Sequence, residues 1–491
     1  MNDDLKKLYR ALGYVGPFEG EAPSADETSF AVTAQNEQDP AELPPLGAEG
    51  LDRFEERLNR NPRKTLSRVR ELWAPKMTQK QLRAVIARAR RALNAPAEAI
   101  AEFEAEAVSF SSALPLNFNF PGMDLNEIDI DPEDRKFEND DLIGVLGWVF
   151  GAGPFVLTEP SRKDFRFHHQ PEFTSQFIYK LDEPLPGAPL EIALFSDFGA
   201  GRYYSRYIAK QFRARRFPYA IHLGDVYFAG RRSEFAEYFE KLLDPILADT
   251  SVFALNSNHE MFSAGIPYFN YITKRAALHP DKQKQEGSYF CLLSERFQIV
   301  GIDTAFFGNG RFKEPVLVEW LEKVLSEGRQ AGRVNILLSA DHPYEYGNND
   351  LTRLLGKDLK SLALEKGMVD LWFWGNTHYC ALFDHKSSAS GDIPALPFVG
   401  SCIGHGGYPY DTYKRGKFEP APMLFLEDRA RFPKETNIRQ DKGNNGYCVM
   451  QLNADGSLGL QYIDWMSNLR FAAALAREQS HEPLRVTPVN I

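Results

Sequence analysis

Asp197, Asp225, the triplet Asn258-His259-Glu260 and His378 each stand just beyond a short apolar run. Carboxylate, amide and imidazole groups delivered by successive strand ends to one edge of a sheet are the donor set of a metal-assisted hydrolase. Taken singly, an aspartate after a strand is usually a turn or cap residue. Several such groups beyond successive strands point instead to a site.

The elements that must position them are legible around them. Apolar runs at 190–195, 219–223, 252–255, 334–338 and 371–374 are each followed at once by a polar cluster. Near-continuous runs of this length suit central strands buried on both faces. Between them, 204–212 and 234–247 repeat apolar residues at helical spacing. Strands and helices therefore alternate, as in a layered α/β domain, where ligands sit beyond the carboxyl ends of the strands. Residues 447–452 and 458–465 read as a closing hairpin turned at Asp455-Gly456. The tail, 468–491, reads as a short helix and an irregular end.

Five blocks carry a family resemblance: Ser196-Asp197-Phe198-Gly199, Gly224-Asp225-Val226-Tyr227, Asn258-His259-Glu260, Ala340-Asp341-His342-Pro343 and Gly375-Asn376-Thr377-His378. Their order resembles that of the calcineurin-like metallophosphoesterases, a family that includes the purple acid phosphatases. The first block is similar to the purple acid phosphatase form, with glycine where most relatives have histidine. The resemblance spans about 190–465. It implies an α/β (α+β) fold, a four-layer αββα metallophosphoesterase sandwich with two metal ions at one edge.

The chemistry follows from the residues. Two cations a few ångströms apart need a bridging carboxylate, and Asp225 at a glycine-containing strand exit is the candidate. Asp197 and His378 complete one shell; Asn258, Asn376 and a ligand from Asp341 or His342 hold the other. A metal-bound hydroxide then attacks phosphorus in line, while His259 protonates the leaving oxygen or stabilises the phosphoryl charge. Glu260 is expected to orient that histidine or its loop. The expected function is hydrolysis of a phosphomonoester or phosphodiester on a small molecule or protein.

Four positions depart from the family pattern. The compensating tyrosine of purple acid phosphatases falls three residues after the bridging aspartate, where this chain has Phe228; Tyr227 is one residue early and serves only if the loop leaves strand geometry. In the fourth block Asp341 stands in the register of a histidine ligand and His342 one place later. Asn376 replaces an imidazole, and Ser257 stands where the family has glycine, which suits a backbone that avoids positive φ. These changes move the donor set towards oxygen, favouring two divalent or mixed-valence ions of Mn, Fe or Mg over Zn. The alternative is a degenerate member that binds a phosphorylated ligand or a protein without turnover. The glycine-rich turn 400–407 brings His405 forward as a substrate contact, with a plain tight loop as its other reading.

Composition bounds the remainder. The chain has 491 residues, 43% of them hydrophobic, enough for two or three domains. A net charge of −10, from 57 basic and 67 acidic residues, argues against general nucleic-acid binding and an anionic membrane surface. Cys291, Cys380, Cys402 and Cys448 have no CxxC spacing, and the first ten residues are charged without an apolar core, so a cytoplasmic, reducing location is expected. Residues 1–185 form a mostly helical N-terminal extension, 186–467 the catalytic domain and 468–491 a tail. Within the extension, 19–50 reads as linker, 78–93 as an amphipathic helix with an arginine-rich face, 124–138 as acidic loop, and 142–158 as a glycine-punctuated buried segment rather than a membrane contact. The extension is the natural docking element for a partner, should one exist.

Overall fold

The computed structural model describes residues 165–173, 175–275, 285–308, 310–344, 350–389, 393–412, 420–431, 442–479 and 482–490, with a few helical positions at 56–63 and Arg83. The chain divides into two compact units, Met1–Ser161 and Arg162–Ile491. In the first, Leu58 is buried on a helical stretch where Arg60 pairs with Glu56 one turn back. Apart from Arg83, the features expected at 19–50, 78–93, 124–138 and 142–158 lie outside the described residues. Among the described residues, no helix is long and apolar enough to cross a membrane.

The second unit is built on two sheets. In one, β2 (Leu190–Phe195), β3 (Tyr219–His222) and β4 (Ser251–Ala254) run parallel. β12 (Gly446–Leu452), β13 (Leu458–Asp464), β14 (Leu469–Ala476) and β15 (Arg485–Val489) extend it antiparallel, in the order β15-β14-β13-β12-β2-β3-β4. The other sheet contains β1 (Ile178–Lys180), β5 (Phe290–Leu293), β6 (Phe297–Ile302), β7 (Val334–Ser339), β8 (Leu371–Trp374), β9 (Cys380–Phe383), β10 (Val399–Ile403) and β11 (Met423–Leu426). Its order is β1-β5-β6-β7-β8-β10-β9-β11, with β6, β7 and β8 parallel at the centre.

The sheets face each other. Phe253 of β4 meets Phe290 of β5 at 4.9 Å between ring centroids, and the Ser401 and Tyr462 hydroxyls of β10 and β13 are 2.8 Å apart. Helices cover both outer faces. α1 (Tyr203–Arg215) lays Phe212 on Phe195 and Tyr447, its basic last turn suiting the carbonyl end of the helix. α3 (Pro315–Gln330) covers β6 and β7, where the buried amides of Gln298 and Asn335 donate to the Val324 and Leu325 carbonyls. The layers are thus helix, sheet, sheet, helix, with the core between the sheets.

Three expectations need correction. The tail supplies β14 and β15, not a short helix and an irregular end: pairing with the exposed side of β13 overrides the helical preference of the alanine-rich 469–476 segment. The compact unit begins before the expected boundary at 185/186, since Phe165, Phe173 and Phe177 are buried and β1 pairs with β5. The helix expected at 234–247 is a series of short turns of α, π and 3₁₀ type.

Candidate metal centre

Parallel strands end at one edge, and there the backbone turns sharply. Asp197 after β2 has φ +56°, Asp225 after β3 has +80°, and Asn376 and His378 after β8 have +59° and +32°. Each non-glycine residue in the left-handed region costs on the order of 1 kcal/mol, a strain that collects at functional sites. Two glycines make the approach close. Gly224, at φ +110°, has no room for a Cβ beside Ser257, and a Cβ on Gly375 would fall on the Ser196 hydroxyl, so the exits of β8 and β2 touch through glycine.

These turns bring three side chains together. Asp197, Asp225 and His378 offer one oxygen or nitrogen each, all within 4.8 Å of one another. The Tyr227 hydroxyl joins them, 2.5 Å from Asp197 Oδ1, 3.1 Å from Asp225 Oδ2 and 2.9 Å from His378 Nε2. The loop leaves strand geometry at Asp225, where φ is positive, and Tyr227 reaches inward. His378 Nε2 is also 3.2 Å from Asp197 Oδ1, and the Asn376 backbone N–H donates to Asp197 Oδ2 at 2.9 Å.

Residues 190–380 match the family model described as calcineurin-like phosphoesterase. This segment is a calcineurin-like phosphoesterase domain. No curated protein sequence matches the chain. Among solved structures it is similar to the purple acid phosphatase PPD1 from yellow lupin (Lupinus luteus) seeds, at 16% identity and TM-score 0.44, over 60% of this chain and 55% of that one. The likeness thus spans about half the length of the lupin chain. It is also similar to GAP50, the anchor in the inner membrane complex of Plasmodium (13% identity, TM-score 0.41, 58% of this chain and 87% of that one). A third similarity is to PhoD (11%, 0.44, 63% and 74%).

Charge at the edge of this phosphoesterase domain is unbalanced. Burial pushes the Asp197 carboxyl up, but the contacts with His378 and Tyr227 outweigh it and hold it at about 2. Burial, then the negative charges of Asp197 and Glu260, push Asp225 well above the usual carboxylate range. Tyr227 has one proton, and the nearer oxygen of Asp197 takes it; the 3.1 Å contact to Asp225 is then bonding only if Asp225 itself carries a proton. Asp225 Oδ1, fully buried, has no hydrogen-bond partner among the described residues. A cation is what relieves both conditions, so the donor set fits a divalent metal.

The other expected residues fall around this group. Glu260 lies behind it: its Oε2 accepts the N–H groups of Asp225 (3.3 Å) and Ser257 (3.0 Å), tying the exits of β3 and β4. Ser257, with φ −134°, is the N-cap of α2 (Asn258–Met261). Its hydroxyl donates to Asn258 Oδ1 at 2.9 Å. His259 Nδ1 donates to the Phe228 carbonyl at 2.6 Å, and its ring sits 4.3 Å from that of Tyr227. Burial holds this imidazole down at about 4.

Asp341 reaches the group through Asn376, whose Nδ2 donates to Asp341 Oδ1 at 3.1 Å. His342 is half-buried, its carbonyl accepting from the Thr352 hydroxyl, and among the described residues it joins no cluster of convergent carboxylates and imidazoles. His405 is buried and kept neutral, its ring held by the Ile403 backbone and burial lowering it to about 4.

Sequence reasoning missed two contributors. Tyr408 stacks on His378, with 3.9 Å between centroids and 16° between planes, and lies 4.8 Å from Tyr227. It follows the glycine-rich turn directly, the one signal that could have found it. The exit of β6, Asp303-Thr304, supplies the Thr304 hydroxyl that donates to Asp341 Oδ2 at 2.6 Å.

Proposed function

We propose that the protein is a metal-dependent phosphoesterase that hydrolyses a phosphomonoester or phosphodiester at the Asp197–Asp225–Tyr227–His378 edge. The observation that carries this reading is the buried, unpartnered Asp225 Oδ1 within a group of converging donors. Asp197, Asp225, His378 and the Tyr227 oxygen would hold the cation. Once bound there, it supplies positive charge to a phosphoryl oxygen and an activated water at neutral pH.

The chain's own groups do the rest. Because a carbonyl accepts from His259 Nδ1, the neutral ring has its unprotonated nitrogen at Nε2. At neutral pH His259 therefore takes a proton, or a hydrogen bond from substrate, more readily than it gives one, and donates only after charging. Tyr227 and Tyr408 wall His378 with aromatic surface and limit water on that side. Glu260 fixes the two strand exits and stays off the reacting atoms.

Turnover of p-nitrophenyl phosphate and bis(p-nitrophenyl) phosphate by the full chain, loaded in turn with Mn, Fe and Mg, tests the reading. Turnover that requires metal and vanishes with the metal in Asp225→Asn supports it. Retained metal without turnover on either ester would favour the binding-module alternative, and neither metal nor turnover would remove both.

A further inference from the structure

The second cation position of the family is built differently from the first. Its expected oxygen donors in this chain are Asn258, Asn376 and Asp341, with His342 the alternative to the last. Asn258 Oδ1, the amide atom able to bind a metal, accepts from the Ser257 hydroxyl at 2.9 Å. Asp341 Oδ2 accepts from the Thr304 hydroxyl at 2.6 Å and the Gly310 N–H at 3.2 Å. Asp341 Oδ1 accepts from Asn376 at 3.1 Å. That last contact fixes which end of the amide faces the carboxylate, since two oxygens at that distance would repel. Asn376 thus presents a hydrogen to Asp341 where an imidazole ligand stands in the family pattern.

The contrast with the first position is one of satisfaction. There, Asp225 Oδ1 is buried with no donor among the described residues; here, both oxygens of the carboxylate and the Asn258 amide oxygen already accept hydrogen bonds. A cation at the second position must displace these buried bonds and, besides the shared Asp225, gains only one carboxylate. His342, half-buried, belongs to no group of three or more convergent carboxylates and imidazoles among the described residues. Resting on the metal-dependent reading above, we infer that the protein works with one cation, and that the hydrogen-bonded chain Asn376–Asp341–Thr304 takes the place of the second. Asp341 is then a positioning residue: it holds Asn376, whose backbone N–H donates to Asp197.

The test is the stoichiometry of Mn²⁺ on the full-length protein. The chain is loaded with Mn²⁺ alone, freed of excess by gel filtration, and measured by elemental analysis and electron paramagnetic resonance. One Mn per chain with an uncoupled six-line spectrum is expected. Asp341→Asn, nearly isosteric, should keep that content and spectrum, whereas Asp225→Asn should lose both. Two Mn per chain with a spin-coupled signal, or loss of half the metal in Asp341→Asn, overturns the inference and leaves the phosphoesterase reading intact. No retained Mn together with no turnover overturns both.

Discussion

Tyr227 shows how one backbone angle decides a residue's role. In sequence it stands one position before the tyrosine of the family pattern, yet the loop leaves strand geometry at Asp225, φ +80°, and its hydroxyl meets both aspartates and His378. Sequence gives side-chain order and not that angle, so the residue was visible and its direction was not. Asp197, Asp225 and His378 were legible because each follows a buried strand whose direction fixes where its end must lie. Tyr408 carried no motif, and its place emerges only from the stack on His378. Orienting a ligand imidazole is worth about 10–100-fold in metal affinity. Tyr408→Ala should therefore weaken Mn²⁺ binding by roughly that factor, and Tyr408→Phe, which keeps the ring, should restore it; equal losses in calorimetric titration would put the effect in the hydroxyl. His259→Ala should leave metal content unchanged and reduce kcat by about 10²–10⁴, and metal loss would place His259 among the ligands.

Among the elements, the exits of β3 and β4 do most to shape the edge, and buried acids hold them. Glu234 accepts the N–H groups of Phe228 (2.7 Å), Ala229 (3.0 Å) and Arg231 (2.9 Å), pinning the loop that carries Tyr227. Removing the acceptor leaves those three buried donors to find others, at a cost of about 2–4 kcal/mol. Glu234→Ala should lower the denaturation free energy by about that amount and weaken Mn²⁺ binding as well; unchanged stability would mean the loop is held elsewhere. The strands beneath these exits were plain in the sequence, since the runs 219–223 and 252–255 are apolar throughout but for His222, and both strands are buried along their length. β14 was not. Leu469-Arg470-Phe471-Ala472-Ala473-Ala474-Leu475-Ala476 is rich in good helix formers, and only pairing with β13 makes it a strand.

Across the whole molecule, two sheets with helices on their outer faces make the edge rigid, and the unit from Arg162 onward carries its own core. A fragment spanning 162–491 should fold and keep the Mn²⁺ affinity of the full chain. A fragment starting at 186 loses β1 and the buried Phe165, Phe173 and Phe177, and one ending at 467 exposes β13 along its length; both should aggregate or melt well below the first. Comparable melting of all three would show that these strands are dispensable. The four cysteines are buried and unpaired, so no disulfide contributes to that rigidity.

A cation held by Asp197, Asp225, Tyr227 and His378 underlies every role assigned above, and a crystal soaked in Mn²⁺ with anomalous data would reveal it. The predicted result is a strong peak about 2.0–2.4 Å from one atom of each of the four side chains, with none beside Asn258 and Asp341. A map without a peak at that edge, or with its peak elsewhere on the protein, would mean that these four side chains hold no cation.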